Sequence, residues 1–493
     1  MKTRYIRLFP VILTVAMTMT GCMTMRASGA SYPGTATDNV AASDGQAAAS
    51  GGQAAASDGR QVGADAGTPQ EAAYSTVQVS ENGMDGSEEE GLYSEAFSKR
   101  DLSGEYDAAS AVTVQMNGST ISCSGEGVAA EGSMVTISKA GTYILTGTLN
   151  GSIIVDVSKE DKVQLVLNGV TVKSDDFAAI YVRQADKVFV TMADGTVNSL
   201  ANGGSFSQID ENEVNSVVFA KDDITFNGTG RLLISSPAGH GISGKDEVTI
   251  TQGVYEISAA DHGIRAKDSL SIADGTFSIT SGNDGLHAEN GDDDTLGSIY
   301  IAGGTYNIQA SDDAVHAVAM LRVDGGTLDI KAAEGLEATY VLVNGGDISI
   351  AASDDGVNAA YKSSAYAPAV EINGGSLTIV MGAGDTDGID SNGSITINGG
   401  TINITGQSAF DCDGSAQYNG GTLIVNGQQV NSIPNQMMGG RGGMMGGRGA
   451  SDRPTTRDAK RSEPGVQNRY GSLYDRGFAK NGYQANKPFL GTA

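Results

Sequence analysis

Glycines that close short apolar runs recur along this chain at a nearly fixed interval. "VTITQG" ends at Gly253, "LSIADG" at Gly275, "IYIAGG" includes Gly303, "LRVDGG" Gly325, "VLVNGG" Gly345, "VEINGG" Gly374, "ITINGG" Gly399 and "QYNGG" Gly420. The successive gaps of 22, 28, 22, 20, 29, 25 and 21 residues define a base period of about 21 to 22, with insertions in three coils. Self-similarity at such a period marks a stacked repeat. Each unit holds three alternating pieces, as in "TYNIQA" (305–310), "AVHA" (314–317) and "LRVDGG" (321–326). Short pieces with a period of two are strands, and no window shows the helical period of 3.6. Three strands per 22 residues, repeated about ten times, predict an all-β parallel β-helix over 108–432, capped near its start by "AVTVQMNGSTISCSGEGV". One unit cannot bury its inward Ile, Val and Leu alone, so stacking must supply the core. A β-sandwich or a propeller is the competing all-β architecture, but propeller blades need about 40 residues and carry aromatic signatures.

Stacking decides what the acidic turns mean. Aligned on their second strand, the coils present Ser243, Arg265, His287, His316, Glu337, Asn358, Asp390 and Asp411 outward at one position. Just before it come Asp261, Asp284, Asp312 with Asp313, Glu334, Asp354 with Asp355, and Asp385 with Asp387. Equal positions of successive coils lie about 4.7–4.9 Å apart, so these acids form a column. Two carboxylates at that distance repel by roughly 3.5 kcal/mol at an effective dielectric near 20. Calcium binds oxygen at about 2.3–2.6 Å, so two ligands on opposite sides of one ion sit close to the coil spacing. Calcium between coils is therefore the expected cofactor, on Asp284, Asp312, Asp313, Glu334, Glu337, Asp354, Asp355, Asn358, Asp385, Asp387, Asp390 and Asp411. Magnesium, with shorter bonds and octahedral demands, fits less well. Asp, Asn and Gly are also good turn formers, which accounts for scattered acids such as Asp222 and Asp223 but less well for a column.

All four histidines fall in the same repeat. His240 and His262 share one position, and His287 and His316 the next outward one. Each pair lacks a thiolate or third histidine for zinc or copper, so they are read as a polar ladder. Asn344, Asn373, Asn398 and Asn419 precede their glycines in register and are read as a structural asparagine ladder.

The ends differ in composition. Lys2, Arg4 and Arg7, the apolar run Leu8–Met17 and small residues before Cys22 lay out a secretory signal over 1–21, too short to span a bilayer. Its "MTGC" ending resembles the bacterial lipobox, which makes Cys22 the expected lipidation site and places the protein on the outer face of a bacterial cell membrane. Residues 22–107, rich in Ala, Gly, Ser and Asp, are expected to be a disordered tether. The tail at 433–493 carries ten Lys and Arg against four Asp and Glu and is also expected to be disordered. A formal charge of −27 argues against a nucleic-acid partner, since phosphate binding needs clustered cations.

The units "GGTYNIQASDDAVHA" (303–317) and "GGDISIAASDDGVNAA" (345–360) resemble those of a clostridial cell-surface family. Its members are calcium-binding, right-handed parallel β-helix proteins that bind cellulose and acidic plant polysaccharide such as polygalacturonate. The resemblance covers about 150–432. It implies a right-handed coil, calcium at the Asp-Asp turns, carbohydrate binding without cleavage, and a shape similar to pectate lyases. Asp312, Asp313, Asp354, Asp355 and Asn358 match the pattern residue by residue. Glu334 with Glu337 substitutes a shorter turn, and "GDTDGID" (384–390) shifts the acids.

The expected function is non-catalytic, calcium-dependent polysaccharide binding by a monomer. The chain has no Trp for sugar stacking, so Tyr361 and Tyr366 are the candidate aromatic contacts. A pectate-type lyase is the alternative. It would need an Arg or Lys base beside the calcium, for which Arg265 and Arg322 are the candidates. A surface adhesin or stalk is the third possibility.

Overall fold

The computed structural model describes residues 96–384 and 386–434. Cys22, the signal, Asp385 and the tail from 435 onward lie outside the described residues, as does most of the tether. Among the described residues the regular elements from Val112 to Val430 are all β-strands.

The unit read from the sequence is present as Thr305–Ala310, Val315–Ala317 and Met320–Val323. Each of these strands pairs in parallel with its counterpart one coil earlier and one coil later. Thr276–Ser281 pairs with Thr305–Ala310, which pairs with Thr327–Ala332. Leu286–Ala288, Val315–Ala317 and Leu336–Ala338 follow the same order. This is the pairing a parallel β-helix requires. The second strands form one sheet of 13, and the first and third strands join in a sheet of 25.

Alternation within a strand sends every second side chain inward. In Thr305–Ala310, Tyr306 and Ile308 are buried while Thr305, Asn307 and Gln309 face out. Stacking puts like on like: the rings of Tyr255, Phe277 and Tyr306 lie face to face at 4.9 and 4.7 Å, their planes nearly parallel. The Tyr255 and Tyr306 hydroxyls donate to the carbonyls of Gln252 and Gly303, so the buried phenols are satisfied. Leu328, Ile348, Leu377 and Ile402 continue that column.

The Gly-Gly signature has a steric cause. Gly400 has φ of +83°, and a Cβ there would lie 2.8 Å from the carbonyl oxygen of Gly375 in the coil before. The asparagine ladder forms as expected: Asn419 donates to Asn398, Asn398 to Asn373, Asn373 to Asn344 and Asn344 to Asp324, all at 2.7–2.8 Å.

Antiparallel hairpins close both ends. Val112–Gly118 pairs with Thr120–Cys123, and Thr422–Val425 with Gln428–Val430. They cover the terminal rungs against edge-to-edge pairing.

One boundary differs from the sequence reading. Residues 96–107, assigned to the tether, pack on the flank of the stack. Asp101 is 3% exposed, accepts a 2.6 Å hydrogen bond from Thr225 and pairs with Lys187 at 2.9 Å. Its carbonyl accepts from Thr251 and Asn227. The outward polar side chains of these strands form a shelf that composition alone did not announce.

Candidate functional site

The outward position of the second strand follows the expected register residue for residue. Ser243 pairs with Arg265, Arg265 with His287, His287 with His316, His316 with Glu337, Glu337 with Asn358, Asn358 with Asp390, and Asp390 with Asp411.

A second file runs beside it, three residues earlier in each coil: His240, His262, Asp284, Asp313, Glu334, Asp355 and Asp387. Backbone bonds fix this file, since the N–H after each member donates to the carbonyl of the next: Gly241 to His262, Gly263 to Asp284, Gly285 to Asp313, Ala314 to Glu334, Gly335 to Asp355 and Gly356 to Asp387. Several of its side chains also accept from the backbone N–H one coil on. His240 Nδ1 accepts from His262, His262 Nδ1 from Asp284, Asp284 Oδ1 from Asp313, and Asp355 Oδ1 from Asp387. One acceptor atom of these side chains thus serves the stack, and the other can face the neighbouring file.

What stands opposite changes along the stack. Asp284 Oδ2 and Asp313 Oδ2 each meet an imidazole Nδ1 at 2.7 Å, from His287 and His316. Burial raises a carboxyl, but the neighbouring imidazoles of His262 and His287 outweigh it and hold Asp284 well below the usual range. Burial pushes His240 down to about 3 and also lowers His287, so both rings are neutral.

At the next coil Glu337 takes His316 Nδ1 at 2.9 Å and Lys362 Nζ at 2.8 Å. Burial would lower His316, but its bonds to Asp313 and Glu337 lift it to about 10. Glu334 is pushed up to about 8 by burial and then by Glu337 and Asp313. Asp313 is raised by burial and by Glu337.

Beyond Lys362 the compensation ends. Burial, then Asp390, Asp354 and Asp387, push Asp355 up to about 6. Burial, then Asp387, Asp411 and Asp413, do the same to Asp390. All three of these neighbouring charges are negative. Asn358 Oδ1, Thr386 Oγ1 and Asp411 Oδ1 are buried oxygens with no hydrogen-bond partner. An oxygen-only donor set with orphaned buried oxygens fits a hard divalent cation.

The expected residues therefore separate. Asp284, Asp313, Glu334, Glu337, Asp355, Asn358, Asp387, Asp390 and Asp411 lie in the two files. Asp312 and Asp354, the first acids of their pairs, are exposed at the rim. Arg265 stands in the file between Ser243 and His287, with its Nε buried and unpartnered. Arg322 lies on another strand, bonded to Asp324 at 2.7 Å and over the Tyr300 ring. Tyr361 is 73% exposed, and Tyr366 packs 5.7 Å from Tyr340, so neither joins the files.

The histidines form one continuous stack, His240–His262–His287–His316, at 5.0, 4.1 and 5.0 Å, rather than two pairs. These positions, three residues apart in each coil, were separated in the sequence reading, but the turn before Ile264 and Leu286 folds them together. Lys362 was missed. Its signal was the 29-residue gap from Gly345 to Gly374, an insertion that begins just after Asn358.

A two-file outward site of acids, amides and imidazoles on stacked parallel strands defines an all-β repeat protein with cation-binding potential. The chain belongs to the carbohydrate-binding domain-containing protein family, whose profile matches residues 131–386 and again 336–431. A carbohydrate-binding domain-containing protein of Acetivibrio thermocellus is 36% identical over 128 residues, 25% of this chain and 45% of that one. The chain thus spans less than half the length of that curated relative. A solved structure, titled as the polysaccharide lyase-like protein from C. thermocellum in a gadolinium derivative, is 30% identical and covers 48% of this chain and 94% of its own, with a TM-score of 0.43.

Proposed function

We propose that the protein binds polysaccharide without cleaving it, through calcium held in the acidic half of the two files. The coils form a right-handed parallel β-helix, carried as a monomer on the outer face of a bacterial cell membrane by lipidated Cys22. The observation that carries the reading is the run Asp355, Asn358, Asp387, Asp390 and Asp411, where burial and like charge lift Asp355 and Asp390 and two side-chain oxygens are orphaned. These residues, with Glu334 and Glu337, would hold calcium. Bound calcium would supply the missing positive charge and open positions for sugar carboxylates.

The glycan's place is the corner that leads into the acidic turns. A groove of about 430 Å³ is lined there by Ser311, Lys331, Ala333, Ser353, Val380 and Met381. Its floor is small and apolar, and the exposed Asp312 and Asp354 follow Ser311 and Ser353 directly in the chain. This arrangement favours an acidic plant polysaccharide, with cellulose the neutral alternative.

Sedimentation of the full-length protein with polygalacturonate or cellulose, in calcium and in chelator, tests the reading. Calcium-dependent co-sedimentation without unsaturated, ultraviolet-absorbing product is expected. Unsaturated product would make the protein a lyase, and no co-sedimentation would favour a stalk.

A further inference from the structure

The imidazole half of the site has a donor set that calcium does not use. His262, Asp284 and His287 are 8%, 3% and 5% exposed, and together with His240 and His316 they account for every histidine of the chain. Asp284 Oδ2 lies 3.3 Å from His262 Nδ1 and 2.7 Å from His287 Nδ1. In a tetrahedral site with bonds of about 2.0–2.1 Å, neighbouring ligand atoms are about 3.3 Å apart. One of these separations already has that value, and the other opens when a hydrogen bond is exchanged for a metal.

We infer that His262, Asp284 and His287 form a binding site for a borderline divalent metal of the zinc class, separate from the calcium positions. Two imidazole nitrogens and one carboxylate oxygen suit zinc, cobalt or nickel and not calcium or magnesium. Three protein ligands leave the fourth position to water.

The far side of each ring supports the assignment. A metal-bound imidazole commonly donates its other N–H to an acid, which fixes the ring and its tautomer. His287 Nε2 lies 3.4 Å from Glu289 Oε2, and His262 Nε2 lies 3.7 Å from Asp261 Oδ1. On metal binding the His287 proton moves from Nδ1, where it bonds Asp284, to Nε2, where Glu289 accepts it. His262 Nδ1 gives up its 3.3 Å bond from the Asp284 N–H. The two rings stack at 4.1 Å with 18° between their planes. Each must therefore turn about its Cβ–Cγ bond to aim a lone pair between them, and that torsion is broad.

The inference does not depend on the calcium reading, and its test separates the two. Full-length protein saturated with calcium is titrated with cobalt(II), and zinc is then added as competitor. One cobalt per chain with the intense visible bands of four-coordinate geometry, displaced by zinc, is the expected result. His287→Gln and His262→Gln should abolish the bands. Glu289→Gln, at an exposed position, should weaken zinc about 10-fold with circular dichroism unchanged. Asp390→Asn should lower calcium uptake and leave the cobalt bands as they are. Absence of the bands in the wild type, or equal bands in the histidine variants, overturns the site. If the histidine variants fail to fold, Glu289→Gln decides, and unchanged zinc affinity in it counts against the site.

Discussion

Replacing Asp390 by Asn should stabilise the metal-free protein and destabilise the calcium-loaded one relative to wild type. Asp390 is raised from 3.8 to about 6 by burial and by Asp387, Asp411 and Asp413. A shift of that size corresponds to about 3 kcal/mol against the ionised form, discounted to about 1–2 kcal/mol because the group is only partly buried and solvent screens it. The sign follows from proton linkage. The folded state holds a proton that the unfolded state has released between pH 3.8 and about 6, so metal-free stability falls as pH rises through that window and is flat above it. Asn carries no charge and removes the slope. In chelator at pH 8 the variant should melt about 2–3 °C above wild type, at most about 2 °C per kcal/mol for a chain this long. In calcium at a hundredfold excess over its dissociation constant, wild type gains about 2.7 kcal/mol, and the variant gains less. Scanning calorimetry of both proteins in chelator and in calcium reads this directly. A variant that melts lower than wild type in chelator, or that gains as much from calcium, would refute the reasoning.

Other perturbations test other parts of the stack. Asn373→Ala removes the rung that donates to Asn344 and accepts from Asn398; with two bonds lost at about 0.5–1.5 kcal/mol each, denaturant melts should show a loss of about 1–3 kcal/mol. Lys362→Met takes the ammonium from Glu337. It should cost about 1–2 kcal/mol without metal, between the surface and buried limits, while calcium titration shows tighter binding because a competing cation is gone. Ile308→Ala, at a fully buried position, should cost about 2–5 kcal/mol in the same melts, and a loss under 1 kcal/mol would mean that neighbouring coils collapse into the cavity.

The period and the register were legible because a parallel stack repeats one backbone solution, so equal sequence positions become equal spatial positions. That is why the file from Ser243 to Asp411 and the asparagine ladder can both be read from the sequence. What the period could not give was contact between positions of different register. The stacking of His262 on His287 crosses from one file to the other, and it depends on how the turn before each second strand folds. The choice between paired acids was equally hidden. Asp313 and Asp355 turn inward to the files and Asp312 and Asp354 outward, because only the second acid of each pair stands next to the residue whose N–H bonds the following coil. Lys362 enters from an insertion, where the repeat has no say.

The outward file also explains why its chemistry grades along the stack instead of repeating. Before Ser243 the same register position holds Ile154, Tyr181 and Phe219. There the segment around Phe206 and Val214 lies over it and joins Phe177 in a second apolar cluster. Gln208 locks that segment by bonding both the N–H and the carbonyl of Val214. Under such a cover a charged side chain would lose its water with nothing in return, so the position is apolar. From Ser243 onward this cover is absent from the cluster, and the position becomes hydroxyl, guanidinium, imidazole and then carboxylate. The inward column beside this file, from Ile242 through Leu286 and Val357 to Phe410, stays apolar, so the core places no demand on this gradient. It is set from outside, by what lies over each coil, and under the proposed calcium reading a cation from solution takes, over the acidic run, the place that Lys362 fills for Glu337.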